Sequence, residues 1–415
     1  MLGRAGVPGL HEALDILRRM AADCPVAAIE EAELEAALGR ILARSVQAPE
    51  DLPPFPRSTM DGYAVRAAET YGASETLPVY LKIDGEVKMG ELPQKGPGTE
   101  ACSKIATGGL LPPNTDAVVM FEHTVRVDDV TLEVVKPVAA GDNVMAAGDD
   151  VQKGCAILRS GHFLRPQDLG LLAALGITRL AVHRGVRVGI FSTGDEIVSF
   201  GETPPPGRIR DANSVTIGAL ARQCGAAVNF YGIVADKEQA FLATARKALA
   251  ENDLIVFSGS SSVGSRDLGE KVVAKLGAPG IVLHGVAIKP GKPVIVARAG
   301  EKMIFGLPGH PVSAAVTFEL FVRPAILHIS GLLPGSLPEK RTVRARCRRN
   351  INSAAGRTDF VRVAVSGNAK GEYEATPILG KSGALSTLVD ADGYFVIEES
   401  SQGIERGTEV TVYLY

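Results

Sequence analysis

Four short apolar runs in the middle of the chain each end in a glycine-rich loop, and this repeated arrangement limits the fold more than any other feature. The runs are 186–190 before Ser192-Thr193-Gly194-Asp195-Glu196, and 254–257 before Ser258-Gly259-Ser260-Ser261-Ser262-Val263-Gly264. They continue with 286–288 before Lys289-Pro290-Gly291-Lys292-Pro293, and 303–305 before Gly306-Leu307-Pro308-Gly309-His310-Pro311. Apolar runs alternating with helical stretches predict buried parallel strands in a doubly wound α/β domain. Ligands of such sheets bind beyond the carboxyl ends of the strands. Exposed N–H groups and helix N-termini there favour anions. Lysines and carboxylates at one edge point to phosphate, an oxyanion and a divalent cation.

Size and charge narrow the classes. A chain of 415 residues exceeds one ordinary core, so two to four domains are expected. A net charge of −3, with no block of like charges, lacks the basic footprint of a nucleic-acid binder. No run approaches the roughly 20 apolar residues that span a bilayer, so no membrane partner is expected. Val7, Leu10, Leu14, Leu17 and Met20 recur at helical spacing and predict an amphipathic helix that packs on the protein rather than a secretion signal. The five cysteines are dispersed, with no pair at metal-ligand spacing, which suits a reducing cytoplasm. The seven histidines are scattered too, and no zinc site is expected.

Punctuation divides the chain. Leu52-Pro53-Pro54-Phe55-Pro56 cannot continue a helix. Short β-type runs at 78–83, 117–121 and 131–135 predict a small β module over 52–147. A helical stretch opening at Pro166 places 148–185 with 1–51 in a discontinuous helical and linking domain. The α/β domain takes 186–331, with helices over 214–224, 237–251 and 312–329. Runs at 360–365, 394–398 and 409–413 predict a C-terminal β domain over 332–415.

Several residues carry candidate chemistry. Asp195 and Glu196 follow a strand directly, Asp236 ends the Ile233-Val234-Ala235 run, and Asp267 falls in the first turn of the helix after the Ser/Gly loop. Each acid could instead serve as a helix cap or first-turn charge, though the loop before Asp267 gives a reason for an ion to be there. N–H groups from Gly259 to Gly264 could cradle a phosphate, or form an ordinary strand–helix turn. Lys289 and Lys292 flank a rigid Pro-Gly turn that would hold two ammonium groups near the strand ends.

Five motifs occur in order: Met60-Asp61-Gly62-Tyr63-Ala64-Val65, Thr107-Gly108-Gly109, Ser192-Thr193-Gly194-Asp195-Glu196, Lys289-Pro290-Gly291-Lys292-Pro293 and Gly306-Leu307-Pro308-Gly309-His310-Pro311-Val312-Ser313-Ala314. Together they resemble the molybdopterin molybdenumtransferases, the MoeA-type enzymes related to the E domain of gephyrin. The resemblance spans nearly the whole chain and implies an α/β domain of MogA-like type. It also implies insertion of molybdate into adenylated molybdopterin, with Mg²⁺ and release of AMP, by a cytoplasmic homodimer whose active site lies between the α/β domain of one subunit and the β module of the other. Contact with the molybdopterin adenylyltransferase is a further implied partnership.

By the same resemblance Asp61, Thr107, Glu196, Asp236, Asp267 and Lys289 match catalytic positions, with Asp267, Asp236 and Glu196 on the metal. Substrate contacts match Ser192, Thr193, Gly194, Gly259, Ser260, Ser262, Gly264, Lys292, Pro308, Pro311, Ser313, Arg357 and Ser382. Five departures from the family pattern stand out: Ser260 and Ser261 replace Gly and Val, Gly285 and Met145 replace frequent cations, and His310 replaces Asn, read here as a residue that bonds within its own turn. The lost cations leave two other readings: a catalytically weak relative that stores or senses a pterin or oxyanion or serves as a scaffold, and an insertase that uses tungstate.

Overall fold

The computed structural model describes residues 7–259, 266–333, 340–367 and 371–415, without the side chains of Arg266 and Asp267. A six-stranded sheet forms the α/β domain, in the order Ala227–Val234, Arg187–Thr193, Leu254–Ser258, Lys302–Leu307, Ile295–Ala299, Pro279–His284. The first four strands are parallel, as their near-continuous apolar sequences require. Ile295–Ala299 runs antiparallel to both of its neighbours: the two-residue turn at Gly300-Glu301, with Gly300 at φ 59, folds it back against Lys302–Leu307, and Pro279–His284 on its other side again runs with the parallel set.

Helix α1 (Leu10–Ala22) buries Leu10, Ala13, Leu17 and Met20 in the α/β core against Phe318, Phe321 and Ile326. It is therefore packed on the α/β domain, although the rest of the first segment pairs elsewhere. Strand Ile29–Glu33 runs antiparallel to Arg179–His183, and α2 (Pro166–Ala174) packs Leu172 with Leu42 and Leu164. Two distant stretches of chain thus build the linking domain. The β module is a six-stranded sheet centred on Gly62–Val65 and Ala101–Ile105, closed over Tyr63, Leu81, Leu132 and Val134.

Helices α3 (Asn213–Gln223), α4 (Glu238–Glu251) and α5 (Arg266–Ala274) follow successive parallel strands. The helix expected over 312–329 comprises α6 (Pro311–Thr317), a π turn (Phe318–Val322) and α7 (Arg323–Ile329). The widened turn precedes Pro324, which has no N–H to give to the carbonyl four residues back. By length and composition this 19-residue helix could cross a membrane, contrary to the expectation that no run came close. Its Phe318, Phe321, Val322 and Ile326 are instead buried in the protein core.

In the C-terminal domain, strands Thr358–Gly367, Tyr373–Pro377, Thr342–Cys347, Glu409–Leu414 and Gly393–Ile397 pair in that order, and the last returns to the first. The result is a small barrel around Val363, Phe395 and Val412. One expectation fails here. The run at 286–288 does not join the α/β sheet: only Ile288–Lys289 is a strand, and it pairs in parallel with Thr358–Asp359 of the barrel. Pro290 ends the ladder, and Val286 N–H donates to the Lys292 carbonyl at 3.0 Å, so the segment folds on itself.

Candidate active site

The carboxyl ends of the parallel strands face the barrel across a cavity of about 1420 Å³. Thr193, Gly194, Glu196, Asp236 and Gly259 line it from the sheet side. Gly259 has φ 101, and a Cβ there would lie 2.2 Å from the Thr193 carbonyl oxygen, so only glycine lets the two strand ends approach this closely. The Thr193 hydroxyl donates to the Ser258 carbonyl at 3.2 Å. Ser192 is wholly buried, 3.2 Å from the Ser258 hydroxyl. It ties the strands together beneath the cavity and does not line it.

Glu196 and Asp236 stand beyond the ends of adjacent strands on the acidic side of the cavity. Asp236 N–H donates to Asp195 at 3.2 Å, so Asp195 serves the turn. Among the described residues no three Asp, Glu, His or Cys groups cluster as a metal site. Asp267 is the second residue of α5, but its side chain lies outside the described residues, as do Ser260, Ser262 and Gly264.

The opposite wall is cationic. Lys289 and Lys292 project from the Ile288–Pro293 loop, where Gly291 at φ 111 packs so tightly that a Cβ would meet Thr317 at 2.6 Å. Arg357, Arg362 and Lys381 come from the barrel. Between them lies Asp359, only 4% exposed, which the sequence reading passed over. It accepts two hydrogen bonds from Arg357, at 2.8 and 3.3 Å, and lies 3.6 Å from Lys289. The guanidinium of Arg357, matched above to a substrate contact, is thus already held by a carboxylate, which fixes its orientation. The available signal was the i,i+2 spacing of Arg357 and Asp359 at a strand start, which puts both on one face.

His310 also differs from expectation. Its Nδ1 lies 2.8 Å from the Ser382 hydroxyl, and Val312 N–H donates to the Ser382 carbonyl at 3.1 Å. The imidazole thus bridges to the barrel instead of serving its own turn, which is held by Asn213 donating to the Gly309 carbonyl at 2.8 Å. Pro308 and Ser313 line the cavity, whereas Pro311 starts α6 behind it.

Asp61 and Thr107 pair within the β module and do not line this cavity. Asp61 accepts from the Thr107 N–H at 2.7 Å and its hydroxyl at 3.0 Å, and these two bonds hold its carboxyl below the ordinary value. Nearby, the Arg57 guanidinium lies 3.6 Å from the Met145 sulfur, so a cation stands beside the position where the family's arginine is missing.

Three family models match in succession: the MoeA N-terminal region (domain I and II) over residues 9–176, a probable molybdopterin binding domain over 189–328, and the MoeA C-terminal region (domain IV) over 344–415. The molybdopterin molybdenumtransferase of Bacillus subtilis is 33% identical over 92% of this chain and 88% of its own length. That of Haemophilus influenzae is 33% identical over 92% and 93%. A crystal structure of the molybdopterin biosynthesis MoeA protein from Pyrococcus horikoshii superposes with a TM-score of 0.84, at 32% identity, covering 99% of this chain and all of that one. With every domain matched in order, the chain belongs to the MoeA family of molybdopterin molybdenumtransferases.

Proposed function

We propose that this protein inserts molybdate into adenylated molybdopterin and releases AMP, in a magnesium-dependent reaction carried out by a homodimer. The observation that carries this reading is the division of the large cavity: Lys289, Lys292, Arg357, Arg362 and Lys381 face Glu196 and Asp236 across it. Two anions 4 Å apart repel by about 1 kcal/mol in water and about 4 kcal/mol in a partly buried site. The cationic wall offsets that repulsion, and the Asp359 clamp on Arg357 and Lys289 holds two of its donors in place before substrate arrives.

Glu196 and Asp236 offer hard oxygen donors at neighbouring strand ends, which fits Mg²⁺, with Asp267 as a third candidate on the adjoining helix. Bound there, the ion would neutralise phosphate charge and orient the attacked phosphorus. The strand-end amides and the Thr193 region hold the nucleotide phosphate, while Lys292, Arg357, Lys381 and Ser382 face the oxyanion. In the homodimer, the partner subunit's Asp61 and Thr107 would complete the site.

Purified protein given adenylated molybdopterin, molybdate and Mg²⁺ should release AMP. Asp236→Asn and Asp267→Ala should each abolish release while leaving the circular dichroism spectrum unchanged. Binding of substrate without AMP release by the wild-type protein would reject an insertase and favour a storage or sensing role. Supplying tungstate in place of molybdate in the same assay measures metal choice directly.

A further inference from the structure

A second cavity, of about 590 Å³, lies between α3, the Pro311–Ile329 helix and the flank of the barrel. Its walls are largely apolar, with Leu220 from α3, Val316 and Leu320 from the long helix, and Phe360, Tyr394 and Leu414 from the barrel. Set among them is Arg362, only 6% exposed, whose Nε meets no hydrogen-bond acceptor among the described residues. Leaving a buried guanidinium N–H unpaired is costly, and an incoming anion would remove that cost.

The surrounding charge points the same way. Arg323, Lys340 and Arg341 also border the space, against one acidic side chain among the described lining residues, Glu319. Glu319 is already engaged, 2.8 Å from Lys340 and 4.0 Å from Arg323. Among the described lining residues, four basic side chains and one acidic side chain therefore surround an apolar interior. Positive walls raise the local concentration of anions, and the apolar interior selects those carrying a hydrophobic body.

We infer that this second cavity binds a small amphiphilic anion: a compact aromatic or branched apolar body bearing one carboxylate, sulfonate or phosphate group. The acid group pairs with the Arg362 fork, and the body fills the space between Leu220, Leu320 and Phe360. The volume lies within the range of small-molecule sites, about 300–1,000 Å³. The two cavities share Phe360 and Arg362, so Arg362 borders both, and the inference concerns the ligand that enters from the α3 side rather than the reaction assigned to the larger cavity.

Isothermal titration of the full chain with naphthalene-2-sulfonate, against the neutral isostere 2-naphthalenemethanol, tests it. The sulfonate should saturate one site per chain, and the alcohol should bind at least tenfold more weakly. Arg362→Met should weaken sulfonate binding tenfold or more. Leu220→Trp, which fills the cavity from the α3 side and leaves the guanidinium untouched, should abolish it. If Arg362→Met fails to fold, Leu220→Trp decides alone. Lys292→Ala, on the wall of the larger cavity, should leave the isotherm unchanged. Equal affinity for the alcohol, no saturable binding, unchanged binding in Leu220→Trp, or loss of binding in Lys292→Ala would each overturn the inference.

Discussion

Asp359 shows how a residue that touches no proposed anion can set the geometry of a site. Its carboxylate is buried, and its partners Arg357 and Lys289 come from different domains. Asp359→Asn keeps the side-chain shape but removes the charge that holds both cations. Positioning should be lost while the net positive charge rises. We expect kcat/KM for AMP release to fall about tenfold, with AMP retained as tightly as before or more so. Wild-type kinetics in this variant would remove the clamp from the argument. Asp61 makes a second case. Its depressed pKa arises from the Thr107 N–H first and the hydroxyl second. A carboxyl with a lowered folded pKa favours the folded state fully above its unfolded value, near 4, and loses that contribution as pH falls through the folded value. Thr107→Val removes only the hydroxyl bond, so the Asp61 carboxyl resonance should titrate at higher pH, closer to the ordinary value. An unmoved midpoint would mean the backbone bond alone sets it.

Among the elements, α2 has an N-terminus whose stability can be measured. Asp168, nearly buried, accepts from the Arg165 N–H at 2.8 Å and Nε at 3.0 Å, and lies 2.8 Å from His162 Nε2. Burial alone would raise its pKa, but the Arg165 and His162 bonds prevail and hold it well below the usual carboxylate range. Asp168→Ala should therefore cost about 2 kcal/mol near neutral pH. The deficit should shrink as pH falls below about 4, toward the lowered folded value. Urea unfolding of both proteins at the two pH values measures it, and a pH-independent difference would show that packing dominates. Helix α2 was legible because a proline start and an apolar run suffice to define it. Strand Ile288–Lys289 was not, because a three-residue apolar run carries no information about its partner, and the partner strand begins some seventy positions later in the chain. The same limit hid Asp359, whose importance depends on a lysine brought from another domain.

For the whole molecule, motif order and spacing pointed to the family and the fold class, and strand ends in an α/β sheet converge on one edge, which here borders the large cavity. Helix α1 escaped this logic: its apolar face was evident, but nothing local indicated which core would receive it. Asp61 and Thr107 pose the larger question, because within one chain they do not line the cavity. If the site is completed across a dimer, Thr107→Ala and Lys289→Ala should complement each other. Co-expressed chains should regain about a quarter of wild-type AMP release, since half the dimers are mixed and each mixed dimer has one intact site. Activity no higher than either parent would place the whole reaction within one subunit.

The two residues Ile288 and Lys289 belong by sequence to the α/β domain and by hydrogen bonding to the barrel. Evolution or engineering cannot exchange the C-terminal domain cleanly at the chain junction that precedes it. A graft cut there would carry the barrel away from the short segment that pairs with its Thr358–Gly367 edge. Hybrid proteins among these relatives should therefore fold and work only when the 286–293 stretch and the barrel come from the same parent.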